Sequence, residues 1–129
     1  LYYALMQFET PKLSKPVRFA AVLLFAKVDD GTPVAMHLDR ITRSWGWKAG
    51  DRLWWKDRPS AANITSITSP APDQWYVIEI TQLLEDWRQG RAINYGLQLR
   101  PAANQKHYST FHSTRSLETS KQPRLLVCT

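Results

Sequence analysis

Cysteine is nearly absent from this chain of 129 residues, which contains only Cys128. A single cysteine cannot form a disulfide within the chain, so the fold has no internal covalent cross-link. Because Cys128 follows an apolar run at residues 125–127, we expect its side chain to be packed or half-packed and not a reactive thiol. No apolar run approaches the ~20 residues that a membrane-spanning helix needs, and no basic start followed by an apolar stretch marks a signal peptide.

Signatures of catalysis and metal binding are also missing. There is no Gly-x-Ser-x-Gly elbow or other nucleophile motif, which argues against an enzyme. Asp29 and Asp30 could contact a structural calcium ion, but a turn already explains them, and the adjacent Glu85 and Asp86 are expected to face solvent from a helix. None of the three histidines has a metal-ligand partner at helical spacing, and no Cys/His cluster exists; we therefore predict no catalytic residue, metal or cofactor. The histidines are His37, His107 and His112.

Positive charge exceeds negative charge, with 17 Lys and Arg against 11 Asp and Glu and a formal net charge of +6. A basic surface favours polyanionic partners, although a solvated basic surface without one partner is an equally good interpretation. Nucleic acid would suit a basic, aromatic chain. It is not favoured, because no helix-turn-helix, zinc-finger or RNA-recognition signature is present and the charge is spread along the chain.

The most distinctive stretch is the segment at residues 42–59, called here the 42–59 segment. It holds four of the six tryptophans, and its polar residues 48–51 include Gly50. Such a turn between apolar flanks predicts a hairpin or a tight corner between two strands. Trp54 and Trp55 are neighbours, and neighbours in a strand point to opposite faces. One indole can therefore enter the core while the other faces away from it.

Elsewhere, short apolar or alternating runs separated by turn residues predict eight or nine strands. The apolar run at residues 19–28 could form a helix or a buried strand, but a hairpin-type turn at residues 29–31 favours strands on both sides of it. This pattern predicts an all-β fold, a single antiparallel β-sandwich with one short helix. Besides the 42–59 segment, strands are predicted at residues 2–8, 19–28, 32–41, 63–69, 74–80, 95–100, 108–113 and 124–128.

One helix is predicted at residues 81–90. The hydroxyl of Thr81 is suited to cap its first turn. Leu83, Leu84 and Trp87 fall on one stripe at helical spacing, which favours core packing over a ligand site. Gly90 suits the left-handed conformation that commonly ends a helix.

Six short motifs occur in order along the chain. Together they resemble the DNRLRE domain, also called the disaggregatase-related domain, over essentially the whole chain; one branch of that family is similar to alginate-binding carbohydrate-binding modules. The motifs are Thr-x-x-Trp at 42–45, Trp-x-x-Arg-Pro at 55–59, a Thr-initiated helix ending in Trp-x-x-Gly at 81–90, Asn-x-Gly-Leu-x-Leu at 94–99, Phe-x-Ser at 111–113 and Pro-x-Leu-x-Val at 123–127.

The resemblance implies a jelly-roll-like antiparallel β-sandwich from secreted or cell-surface proteins, with residues 1–129 forming one module of a longer protein. Members usually carry a segment before the strand that matches residues 2–8, and this chain lacks it. A sandwich without that strand has an open edge. Either the segment is missing, or a neighbouring chain supplies it by strand addition.

The resemblance also implies which tryptophans face outward. Trp55 matches a tryptophan of the family and would point inward, so Trp54 would face outward, with Trp47 nearby across the turn. Exposed tryptophans stack on sugar rings, and cations beside them could bind carboxylate or sulfate groups. The alternatives are that these tryptophans pack under a loop, and that Arg58 is buried and paired with Asp39 or Glu79. The predicted ligand-binding residues are Trp47, Trp54, Lys48, Arg52, Lys56 and Arg58.

From these residues we expect a non-catalytic, extracellular or cell-surface carbohydrate-binding module. Its predicted partners are an acidic polysaccharide and other domains of a parent protein. The competing hypothesis is a structural subunit of a surface layer or filament, which assembles when its open sheet edge accepts a strand from a neighbour.

Overall fold

The computed structural model describes residues 3–27, 34–45, 58–68, 72–102, 111–113 and 116–129. These ranges contain seven strands and one α-helix. In chain order they are β1 (Ala4–Met6), β2 (Phe19–Phe25), β3 (Ala35–Ile41), β4 (Ala61–Thr68), β5 (Trp75–Glu79), α1 (Thr81–Gln89), β6 (Leu97–Pro101) and β7 (Arg124–Cys128).

The strands form two antiparallel sheets. The four-stranded sheet has the order β1-β6-β3-β4, and the three-stranded sheet has the order β5-β2-β7. Apolar side chains from both sheets and from α1 fill one core between them, centred on the fully buried Leu24, Leu38, Leu84 and Leu97. The predicted all-β sandwich with one helix is therefore confirmed.

The predicted hairpin between the second and third strands is wrong. β2 pairs with β5 and β7, whereas β3 pairs with β4 and β6 in the other sheet. Each is a central strand of its own sheet, so both of its edges are already occupied. The chain therefore crosses from one sheet to the other between β2 and β3, and the predicted turn at residues 29–31 lies outside the described residues.

Side chains alternate between the two faces of the sheet along β5. Ile78 is buried in the core, whereas Trp75 and Val77 are exposed on the outer face of the three-stranded sheet. The same alternation makes the prediction for Cys128 wrong, because its thiol is exposed. In β7, the inward positions are those of Leu125 and Val127, and Cys128 falls on the outer face.

The remaining predicted strands agree with the structure to different degrees. β1, β4, β6 and β7 lie within or close to their predicted ranges. Of the predicted strand at residues 108–113, only residues 111–113 are described. There Phe111 forms an isolated antiparallel bridge with Ala26.

Helix α1 covers one end of the sandwich. Leu83, Leu84 and Trp87 are buried, and Gly90 ends the helix with a φ of 74°, as predicted. The predicted cap at Thr81 is wrong, because Ile80 occupies the capping position without a side-chain hydrogen bond. The Thr81 hydroxyl instead accepts a hydrogen bond from the Ala20 amide at 3.0 Å, which joins α1 to β2.

The Glu85 carboxylate faces the protein, contrary to the prediction that it faces solvent. It accepts hydrogen bonds from the Val17 amide at 2.9 Å and from Arg88 Nε at 2.8 Å. These bonds, that of Arg88 foremost, hold the pKa of Glu85 well below its usual range. The segment before β2 packs against this side of the helix. Its Val17 amide lies outside the strands and is satisfied by the Glu85 carboxylate, which therefore points inward.

Candidate functional site

The 42–59 segment joins two neighbouring antiparallel strands. β3 ends at Ile41 and β4 begins at Ala61, and these two residues are paired. Just beyond them, the Thr42 amide donates to the Ser60 carbonyl at 2.9 Å, and the two hydroxyls lie 2.9 Å apart. The ends of the segment are thus held together, as expected for a connection of the hairpin type.

Trp45 anchors the segment to the rest of the four-stranded sheet. Its indole Nε1–H donates to the Tyr95 carbonyl at 2.6 Å, and the side chain is half-buried. A partly buried indole is stabilised when its single donor is satisfied. Trp45 therefore has a structural role at the base of the segment.

Two arginines flank this base. Arg58 is exposed, so the alternative that it is buried is wrong. Arg43, which is also exposed, donates from Nη2 to the Arg58 carbonyl at 3.4 Å. Two positively charged side chains thus lie where the segment leaves the sheet, and their combined field attracts anions.

Arg58 is the predicted site residue whose position the structure describes. The others lie outside the described residues, as does Trp55, so the inward and outward assignment of the tryptophans stays a prediction. Sequence reasoning missed Arg43, although it lies within the Thr-x-x-Trp motif and two residues before Trp45. The predicted site residues outside the described ranges are Trp47, Lys48, Arg52, Trp54 and Lys56.

A buried polar cluster lies on the outer face of the same sheet. Asp39 is 2% exposed, and its carboxylate accepts from Arg100 Nε at 2.6 Å, Gln98 Nε2 at 3.0 Å and Asn63 Nδ2 at 3.1 Å. Burial raises the pKa of Asp39, but these hydrogen bonds, led by that of Arg100, outweigh it and leave the pKa below its usual value. Arg100, and not Arg58, therefore balances the charge of Asp39.

This cluster is a structural element. Asp39 lies opposite Gln98 on β6 and Asn63 on β4, so one carboxylate connects three strands. Next to it, His37 lies in β3, which confirms the prediction that it is a strand residue. Its Nδ1 atom is 2.8 Å from the Ser66 hydroxyl of β4. Within the described ranges, no group of three His, Cys, Asp or Glu side chains could hold a metal ion.

The sequence of this chain matches a known protein family over almost its full length. A family model for carbohydrate-binding module family 96 matches residues 2–129. The chain belongs to carbohydrate-binding module family 96. Membership in family 96 makes the chain a carbohydrate-binding module, and a polysaccharide is the partner that this family implies.

The family 96 match includes both sheets, α1 and the 42–59 segment. No curated protein and no solved structure is significantly similar to the chain. In the part of the family 96 module that the structure describes, no helix is long and apolar enough to cross a membrane.

Proposed function

We propose that this family 96 module is non-catalytic and extracellular, and that it binds an acidic polysaccharide through the 42–59 segment. The observation that carries the proposal is the pair of exposed arginines, Arg43 and Arg58, at the base of a segment that holds four tryptophans. Aromatic rings and fixed cations together suit a chain of sugar rings that bear carboxylate or sulfate groups.

In this proposal the tryptophans and the cations have separate roles. Trp47 and Trp54 stack on the apolar faces of sugar rings, which removes apolar surface from water. Arg52 and Arg58 pair with carboxylates through two parallel N–H donors, whereas Lys48 and Lys56 act as point charges. The net charge of +6 raises the local concentration of the polyanion and speeds its association.

The test is a titration of the Trp54→Ala variant with a soluble polyuronate of the alginate type, followed by calorimetry. We expect its affinity to fall roughly tenfold, which corresponds to about 1.4 kcal/mol. The melting temperature should stay unchanged because an outward-facing indole contributes little to the core. Leu117→Ala is the matched control, since Leu117 is 99% exposed and lies outside the segment.

Ligand charge and assembly state complete the test. A neutral glucan of similar length should bind much more weakly than the polyuronate, and binding of the polyuronate should weaken with added salt. Equal affinity for both polymers would exclude the acidic ligand, and unchanged affinity in a folded Trp54→Ala variant would exclude the site. Self-association without polyuronate binding, measured by light scattering, would support the structural subunit that assembles by strand addition.

A further inference from the structure

The outer face of the three-stranded sheet carries an aromatic and basic cluster that is separate from the 42–59 segment. Trp75 lies opposite Phe25 in the β5–β2 pair, and Arg124 lies opposite Leu23 in the β2–β7 pair. Residues directly opposite each other in antiparallel strands share a face. Since Trp75 is exposed, Phe25, Leu23 and Arg124 share the outer face with it.

Trp75 is held in place and still accessible. The Phe25 ring contacts it in a T-shaped arrangement, with 5.1 Å between ring centres and 88° between ring planes. Trp75 nevertheless remains 37% exposed, and Val77 next to it on the same face is 54% exposed. An indole that is held by a neighbouring ring and still open to solvent, beside a further apolar side chain, is a surface on which a sugar ring can stack.

Arg124 supplies a cation over this ring. Its guanidinium lies 5.8 Å from the centre of the Trp75 ring, so the side chain crosses β2 towards β5. None of the ion pairs between described residues involves Arg124, and its described hydrogen bond goes to the Ser120 carbonyl. The planar guanidinium can therefore receive a carboxylate or sulfate group of a sugar stacked on Trp75.

Lys121, the other cation of this cluster, differs from Arg124. Its Nζ lies 4.9 Å from the centre of the Phe25 ring, but also 3.4 Å from Glu118 and 3.9 Å from Asp73. Two carboxylates already balance its charge, so a ligand carboxylate would gain little from it. This difference makes Lys121 a matched control for Arg124.

The cluster lies at the opposite end of the sandwich from the point where β3 ends and the 42–59 segment begins. Trp75 begins β5, and α1 follows the end of that strand. Shortly after α1 ends, the Tyr95 carbonyl accepts a hydrogen bond from Trp45 at 2.6 Å, so the helix and the start of the 42–59 segment share one end. Trp75 is four residue steps, roughly 13 Å, from that end of β5, and it belongs to the other sheet.

We propose that Trp75 and Arg124 form a second saccharide-binding site, which takes a single pyranose bearing a carboxylate or sulfate group. Trp75 stacks on the sugar ring, and Arg124 binds its acidic group. The site does not depend on the one proposed in the 42–59 segment, since the two share no residue.

The experiment uses the indole N–H resonances in NMR spectra of the whole chain, titrated with a uronic-acid disaccharide that is too short to reach both sites. Trp75→Phe assigns the Trp75 resonance. We expect this resonance to shift in a saturable way with the uronic-acid disaccharide and much less with a neutral disaccharide. Arg124→Gln should weaken binding at Trp75 at least about tenfold, whereas Lys121→Gln should change it by less than about twofold.

The Trp54→Ala background separates this site from the 42–59 segment. A Trp75 shift that persists there supports the second site, even if the polyuronate titration excludes the first one. A Trp75 resonance that stays in place, or that loses its shift in the Trp54→Ala background, would overturn the proposal. An equal response to the neutral disaccharide, or no effect of Arg124→Gln in a folded variant, would overturn it as well.

Discussion

At the scale of single residues, the contacts of Asn94 and Gly96 explain the Asn-x-Gly part of the motif at residues 94–99, which leads into β6. The Asn94 side chain donates to the Phe8 carbonyl at 2.7 Å and to the Thr10 hydroxyl at 2.9 Å, and it accepts from the Gly96 amide at 2.9 Å. Gly96 has a φ of 98°, and a Cβ there would overlap the Met6 carbonyl oxygen. The two residues thus join β6 to the segment that follows β1.

Substitution of Gly96 by alanine should destabilise the fold by about 3 kcal/mol, because a strained backbone and an overlap with Met6 add together. Gly90→Ala is the control. Gly90 also has a positive φ, of 74°, but open space surrounds its α-carbon, so we expect a loss of about 1 kcal/mol. Urea unfolding measures both. A larger loss at Gly90 than at Gly96 would contradict this account of the motif.

The buried Asp39 makes stability depend on pH in a definite direction. Its pKa is lowered from 3.8 in the folded state. The unfolded chain therefore takes up this proton at a higher pH than the folded chain does. The contribution of Asp39 to the free energy of unfolding is present above about pH 4 and is lost as the pH falls through the lower, folded-state pKa.

Asp39→Asn should therefore lower the free energy of unfolding by roughly 1–3 kcal/mol at pH 7, since Arg100 loses its charged partner. Below about pH 4 the difference from the wild type should narrow, because Asp39 of the wild type is then becoming protonated itself. Urea unfolding at neutral pH and at about pH 3 tests this. The same difference at both pH values would show that the carboxylate charge has no role.

At the scale of elements, α1 closes the end of the sandwich to which the 42–59 segment is attached. Trp87 inserts into the core with Leu83 and Leu84, while Thr81 and Glu85 bond the backbone amides of Ala20 and Val17. The helix is therefore attached through its apolar face, its first residue and one carboxylate. Its loss would expose the core and release the segment that leads into β2.

Trp87→Ala should destabilise the module by about 3–5 kcal/mol through the loss of core contacts and the cavity left behind. Gln82→Ala, at an exposed position of the same helix, should change stability by less than about 0.5 kcal/mol. Thermal unfolding compares the two. The same large loss is predicted for Trp55→Ala if Trp55 points inward, and an unmoved melting temperature would reverse the assignment of Trp54 and Trp55.

At the scale of the whole molecule, the positions of the strands could be predicted and their partners could not. Alternation and turn residues are local signals, and they located β4, β5 and β7 within a few residues. The partners of β2 cannot be predicted from local sequence. They are β5 and β7, which lie far from β2 in the chain and pair with it only in the folded sandwich. The burial predicted for Cys128 was wrong for the same reason. Whether Cys128 is exposed depends on which face of β7 packs against the core.

The candidate sites show the same limit. The tryptophans and basic residues of the 42–59 segment are close in sequence, so a resemblance and a turn pattern could suggest a site there. The Asp39–Arg100 ion pair joins strands far apart in the chain, and no spacing rule predicts it. The strand that carries Trp75 could be predicted, but the proximity of Trp75 to Arg124 arises only when β5 and β7 flank β2.

The pairing of β2 with β7 has a consequence for the order of folding. β2 is the second of the described strands in chain order, yet one of its two edges stays without a partner until β7, the last of them, is available. β1 likewise waits for β6. Contacts between such distant parts of the chain form slowly, because a large loop must close first. The four-stranded sheet therefore lacks a strand until β6 has been made, and the three-stranded sheet until β7 has been made. A chain truncated before Arg124 would leave the central strand β2 with a bare edge prone to wrong pairing.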